Sequence, residues 1–174
     1  THGYGNPCDV EKIDEIAKKH NLKVIYDAAH CFGVKYNGES IFNFGNVSTC
    51  SFHATKIFHT GEGGCMITAD KEFHEKLFYH HNFGHNGPED FHGIGINAKT
   101  SELQAAMGLA VFNHLDEIFK GRKNAVGVYD KFLDFSKIKK MKLRGGTEWN
   151  YHYYPVIFES EETLLKVKEV LNKE

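Results

Sequence analysis

A chain of 174 residues that is 41% hydrophobic and 25% charged holds enough apolar material for an ordinary core, which sets aside disordered and collagen-like classes. Its net charge of -2 comes from scattered Lys, Arg, Asp and Glu, so no basic stripe points to nucleic acid. No apolar run approaches the roughly 20 residues of a membrane span. Cys8, Cys31, Cys50 and Cys65 form no C-x-x-C pair and no metal-type spacing, which suits buried thiols in a reducing, cytoplasmic compartment.

Taken in chain order, Asp9 opens a predicted helix. Val10, Ile13, Ile16 and Ala17 recur on one face, Glu11, Lys12, Glu15, Lys18 and Lys19 face water, and Asn21 closes it. Leu22 to Tyr26 is too short for a helix and reads as a buried strand. Helix, turn and strand make one αβ unit of a doubly wound sheet, in which ligands sit beyond the strands' carboxyl ends. Asp27 stands at that end, followed by Ala28-Ala29-His30. Val34-Lys35-Tyr36 before Asn37-Gly38 predicts a hairpin. Strands are expected at Val47 to Phe52 and Cys65 to Thr68, with Lys56 on the loop between them. Asp70 caps a helix through about Phe83, and a loop with Gly84, Gly87, Pro88, Gly93 and Gly95 follows. Thr100 or Ser101 caps a long helix whose face runs from Leu103 to Leu115, and a second helix covers Arg122 to Phe132. Near Phe135 the pattern changes, and an aromatic strand, Tyr151 to Phe158, precedes a helix from Ser160.

Two charged residues stand out. A carboxylate such as Asp27 beside a pyridine nitrogen keeps that nitrogen protonated, because opposite charges favour the charged form. By itself it reads equally as a helix cap or a surface ion-pair partner. Lys56 lies among Phe52, Ala54, Ile57 and Phe58, where an amine could form a Schiff base, although most lysines are simply solvated. Ser51, Thr55 and the Gly61–Gly64 backbone offer donors suited to a phosphate. His30 could lie against a flat ring or be a packed loop histidine. His80, His81 and His85 are close in sequence but lack a Cys or acidic partner at ligand spacing, so no metal site is expected. Nucleophile-elbow, P-loop and dinucleotide fingerprints are absent.

The stretches Val24-Ile25-Tyr26-Asp27-Ala28-Ala29-His30, Ser51-Phe52-His53-Ala54-Thr55-Lys56 and Gly61-Glu62-Gly63-Gly64, in that order, resemble the DegT/DnrJ/StrS sugar aminotransferases, pyridoxal phosphate enzymes of fold type I. The run from Gly95 to Ala106, the Tyr151-His152-Tyr153 segment and the opening turn Gly3 to Asp9 agree, so the resemblance covers essentially the whole chain. It implies an α/β fold. Residues 1–134 would be the C-terminal part of a large cofactor-binding domain, a mostly parallel sheet flanked by helices. Residues 135–174 would begin a small C-terminal α/β domain.

The same resemblance implies pyridoxal 5'-phosphate bound as a Schiff base to Lys56, which also carries protons. Asp27 would pair with the pyridine nitrogen, His30 would lie beside the ring, and Ser51 would bind the phosphate. Asn97 would reach into a partner subunit's site near its phosphate, so a homodimer with shared active sites follows. Lys99 stands where the family often has Arg, which removes a bidentate fork. His53 stands where many members have Tyr. The implied reaction moves an amino group from an amino acid, usually glutamate, to a nucleotide-linked keto-sugar for surface polysaccharide or amino-sugar synthesis, with no nucleic acid or membrane partner. The resemblance also makes the chain the middle portion of a longer protein, inactive by itself. The rivals are a sugar dehydratase, a regulatory member of the same fold, and an α/β domain without cofactor.

Overall fold

The computed structural model describes residues 1–173. Helix α1 (Val10–His20) starts where the Asp9 carboxylate accepts from Lys12 N and stops where Asn21 turns left-handed, φ 51. Both signals are local, which is why the sequence shows them. Strand β1 (Ile25–Asp27) follows. It begins later than the apolar run because Val24 N is taken by the Asn46 side chain at 2.8 Å. The hairpin forms as β2 (Lys35–Tyr36) and β3 (Glu39–Ser40), turning at Asn37 and Gly38 with positive φ.

Strand β4 (Val47–Ser51) lies parallel to β1, pairing Ile25 with Val47 and Asp27 with Thr49. Strand β5 (Gly64–Ile67) runs antiparallel to β4, pairing Cys50 with Cys65 and Ser51 with Gly64. The expected mostly parallel sheet is therefore, in this chain, a mixed three-stranded sheet of order β1-β4-β5. The strand expected to be buried is so on one face only: Tyr26 is buried, but its neighbour Ile25 is 70% exposed, because this chain covers one face of β1. On the covered face, Val10, Tyr26, Ala28, Cys31, Val34, Tyr36 and Ile41 form the core. Each large apolar side chain there contributes roughly 1.5–3 kcal/mol relative to exposure.

Asp70 caps α2 (Lys71–His80), accepting from Glu72 N and Phe73 N. Ser101 caps α3 (Glu102–Phe112) in a reciprocal box with Gln104. The expected long apolar face runs through Leu115, but α3 ends at an Asn113 cap and α4 (Leu115–Phe132) begins as a separate helix, before the Arg122 expected for it. α3 is apolar around its circumference, and Leu103, Leu109 and Phe112 are exposed. Beyond α4 come β6 (Ile138–Lys140), β7 (Thr147–Glu148), β8 (Val156–Phe158) and α5 (Glu161–Leu171), with α5 capped by Ser160. The aromatic strand expected from Tyr151 shrinks to β8, because Tyr151 takes φ 57 and Pro155 has no N–H for a ladder.

The segment after α4 returns to the first sheet region. Strand β7 adds to the hairpin beside β2. Arg144 holds Asp9 Oδ1 at 3.0 Å and Glu11 Oε2 at 2.8 Å, and its Nε donates to Tyr36 OH at 3.0 Å. Among the described residues no helix is long and apolar enough to cross a membrane.

Candidate cofactor-binding site

The parallel pairing of β1 with β4 sets Asp27 beside Thr49, so Asp27 and Ser51 lie on one face at the same end of the sheet. Asp27 is exposed, with Oδ1 accepting from Ala29 N at 3.1 Å. Ser51 is half-buried, and its hydroxyl accepts from His53 N at 3.3 Å.

The loop from Phe52 to Gly63 carries Lys56. Its base is closed by Phe52 N donating to Gly63 O at 2.8 Å and Thr60 N to Phe52 O at 2.9 Å. Its underside is apolar. Ile57 is buried, and Phe58 stacks on Phe32 and meets Phe52 edge-on, each at 4.9 Å between centroids. Gly108 of α3 lets that helix approach closely, since a Cβ there would lie 3.0 Å from Thr60 Cγ2 and 3.4 Å from Phe58 Cζ. Lys56 is half-buried, and its Nζ lies 5.8 Å from the centre of the Tyr153 ring.

His30 follows Asp27 by three residues and packs against Tyr4 and Tyr153. Burial lowers its pKa first, the Lys56 charge adds to that, and the Asp27 charge opposes it. Its Nδ1 accepts from Tyr4 N at 3.3 Å, and its ring lies 4.7 Å from Tyr153 and 6.0 Å from Tyr4. The ring is thus a neutral, flat surface whose environment both Asp27 and Lys56 influence.

Residues the sequence reading left without a role complete the arrangement. His152 is buried, and burial drives its pKa down to about 4 against the opposing effect of a bond to Thr55 O. A carbonyl only accepts, so Nε2 of the neutral ring carries the proton and donates to Thr55 O at 3.0 Å. That fixes the residue immediately before Lys56. Asn150, 2% exposed, donates through Nδ2 to His30 O at 2.8 Å and Phe32 O at 2.9 Å, and accepts from His152 N at 3.2 Å. Trp149 Nε1 donates to Tyr4 O at 2.9 Å. The Tyr151-His152-Tyr153 triplet was visible in the sequence, but as a strand rather than as a cap over the Lys56 loop.

Other expected site residues lie elsewhere. Thr55 is exposed, its hydroxyl paired with His53 Nδ1 at 2.9 Å. Asn97 belongs to the loop after α2, pairs with Asn82 and accepts from Lys99 Nζ at 2.8 Å through its Oδ1. Lys99 also lies 4.0 Å from the Phe83 ring centre. Among the described residues no group of three or more His, Cys, Asp or Glu side chains is placed to hold a metal.

The fold is a mixed α/β unit in which a lysine-bearing loop follows the carboxyl end of β4, beside the carboxyl end of β1. The chain belongs to the DegT/DnrJ/EryC1/StrS aminotransferase family, whose sequence profile matches residues 1–174. It is 44% identical over 161 residues to the dTDP-4-amino-4,6-dideoxy-D-glucose transaminase of Shigella dysenteriae, matching 92% of this chain and 44% of that protein. It is 36% identical over 141 residues to the GDP-perosamine synthase of Escherichia coli O157:H7, matching 76% of this chain and 37% of that one. Among solved structures, DesI crystallised in the presence of its TDP-sugar product superposes with a TM-score of 0.86 at 27% identity, covering 97% of this chain and 45% of DesI. The chain spans less than half the length of these relatives.

Proposed function

We propose that this chain is the lysine-bearing portion of a cytoplasmic, pyridoxal phosphate-dependent aminotransferase. It would move an amino group from an amino acid, glutamate in the first instance, to a nucleotide-linked keto-sugar destined for lipopolysaccharide, other surface polysaccharide or amino-sugar products. The observation that carries the reading is the placement of Asp27 and Ser51 at the same end of two adjacent parallel strands, with the Lys56 loop leaving directly after Ser51 and Tyr153 lying beside Lys56. Membership of a family whose relatives include named sugar transaminases supports the same reading.

The residues present fit the cofactor. Asp27 offers an exposed carboxylate for a protonated ring nitrogen, His30 a neutral flat ring, Ser51 a hydroxyl for a phosphate oxygen, and Lys56 a primary amine for an aldehyde carbon. When bound, pyridoxal phosphate supplies an electron sink for changes at the carbon bearing nitrogen. In the chain's own part of the mechanism, Asp27 would pair with the cofactor's ring nitrogen by charge. Lys56 would hold the cofactor and carry a proton at its Nζ. The apolar bed of Ile57, Phe58, Phe32 and Phe52 fixes the loop backbone, so the amine is placed before reaction begins. Tyr153 lies beside Lys56 and His152 holds Thr55 O, which restrains the loop backbone next to the amine.

A homodimer is part of the proposal. Asn97, in the loop after α2, would serve the partner's phosphate, and the exposed apolar flanks of α3 suit burial in the larger assembly. Residues 1–134 would complete the large domain, and residues 135–174 would begin the small one.

The test uses the full-length protein. Lys56→Ala is expected to lose both the visible absorbance of the lysine-bound cofactor and transfer from glutamate. Wild-type turnover in that variant would refute the assignment. An unmodified protein that binds the cofactor but moves no amino group would point instead to a regulatory member.

A further inference from the structure

We infer that Cys50 and Cys65 form a redox-active dithiol that closes to a disulfide across β4 and β5, tying together the two ends of the Lys56 loop. The inference rests on geometry independent of the proposed transaminase reaction. Cys50 and Cys65 are direct partners in the antiparallel ladder. The bond from Phe52 N to Gly63 O sets the phase of that ladder and makes the cysteines a hydrogen-bonded pair. Such pairs have Cα atoms about 5.5 Å apart, inside the range of roughly 4.4–6.8 Å that disulfides span. Residues directly opposite point to the same face, so the two side chains lie side by side. Both are free.

Access and reactivity divide between them. Cys65 is exposed and Cys50 is buried, and both line an open cleft with Thr49, Met66, His81 and Gln104. The neighbouring Cys50 thiol holds the pKa of Cys65 down, while Cys50 is pushed up by the same neighbour and by burial. Cys65 is therefore the attacking thiolate and Cys50 the resolving thiol. Cys31, by contrast, is buried and directs its thiol to His2 O at 3.6 Å.

The oxidant class is a low-molecular-weight disulfide. The Cys65 thiolate attacks one sulfur of oxidised glutathione, that S–S bond breaks, and one glutathione leaves as the thiolate. Cys50 then gives its proton to solvent and attacks Cys65 Sγ, expelling the second glutathione. Two protein thiols are oxidised to one disulfide, and one oxidised glutathione is reduced to two thiols.

The test treats the full-length holoenzyme with oxidised glutathione, blocks the remaining thiols by alkylation and digests with trypsin. Cleavage after Lys35, Lys56 and Lys71 separates the two cysteines, so the expected product is peptide 36–56 linked to peptide 57–71, lighter by two hydrogens than their sum and released by dithiothreitol. Amide exchange across residues 52–63 is expected to slow on oxidation. Cys65→Ser should leave both peptides unlinked, and Cys50→Ser should trap a glutathione adduct on Cys65. The proposal is overturned by alkylation at both sites after oxidation, by a lasting glutathione adduct on wild-type Cys65, by a link to Cys8 or Cys31, or by unchanged exchange in the linked protein.

Discussion

Replacing Asn150 with alanine removes the side chain that joins the aromatic cap to the histidine of the site. The side chain is 2% exposed and makes three hydrogen bonds, two from Nδ2 to His30 O and Phe32 O and one to Oδ1 from His152 N. Truncation leaves two buried carbonyls and one N–H without that partner, and each such loss costs about 1–3 kcal/mol when water cannot enter. Part is recovered because carbonyls keep a second lone pair and the new space admits some water. The expected loss is therefore about 2–4 kcal/mol, a large share of the roughly 5–15 kcal/mol that holds a typical domain together. The assay is urea unfolding of full-length protein, read as a lower midpoint at unchanged slope. Asn150→Asp refines it. Aspartate keeps the acceptor for His152 N but turns a carboxylate oxygen toward two carbonyls, so at neutral pH it should destabilise at least as much as alanine. The defect should shrink in acid, where protonation restores one donor. A loss below about 1 kcal/mol for Asn150→Ala would refute the reasoning, because the three bonds would then be replaceable by water.

Three further outcomes are expected. His152 has a folded pKa of about 4, below its ordinary 6.5, so the unfolded chain binds more protons between those values. Its contribution, about 1–3 kcal/mol, is complete above pH 6.5 and lost as pH falls through 4. His152→Gln should flatten that part of a stability–pH curve measured by urea unfolding, and an unchanged curve would count against it. Gly108→Leu drives a branched side chain at Thr60 and Phe58, which shifts the Lys56 loop, and at least about a ten-fold fall in kcat/KM of the full-length enzyme is expected. Arg144→Lys removes the planar fork that engages Asp9, Glu11 and Tyr36 together, so amide exchange across residues 141–148 should rise. Unchanged protection there would show that the fork does not hold the segment.

The starts of α1, α2, α3 and α5 were legible because their chemistry is local, whereas α4, which has no side-chain cap, began earlier than expected. Asp9, Asp70, Ser101 and Ser160 each cap the helix that follows, through contacts no more than three residues away. The break at Asn113 was not legible, since the apolar pattern of α3 runs on toward Leu115 and only packing decides where the helix ends. The strand expected from Tyr151 failed for a related reason. Aromatic residues favour strands on average, but here Tyr153 packs on His30 and His152 donates to Thr55 O, and the backbone bends to allow both. Asp27, Ser51 and Lys56 could be singled out because strand ends and lysine-bearing loops have recognisable neighbours. The contacts of Asn150 with His30 and of His152 with Thr55 span 120 and 97 residues, and no periodicity reports pairs so distant.

The sequence by itself determined the αβ order, the caps, the position of Lys56 between two strands and of Asp27 at a strand end, and enough ordered motifs to suggest the family. Those features depend on contacts within a few residues or on alternation along one strand. Tertiary structure alone decided that β5 runs antiparallel, that Cys50 faces Cys65, that one side of β1 stays open, and that Asn150, His152 and Tyr153 close over the Lys56 loop. Each of these is a choice of partner between distant segments, settled by which buried polar groups can be satisfied together and which apolar faces fit, and neither condition is written in any single stretch of the chain.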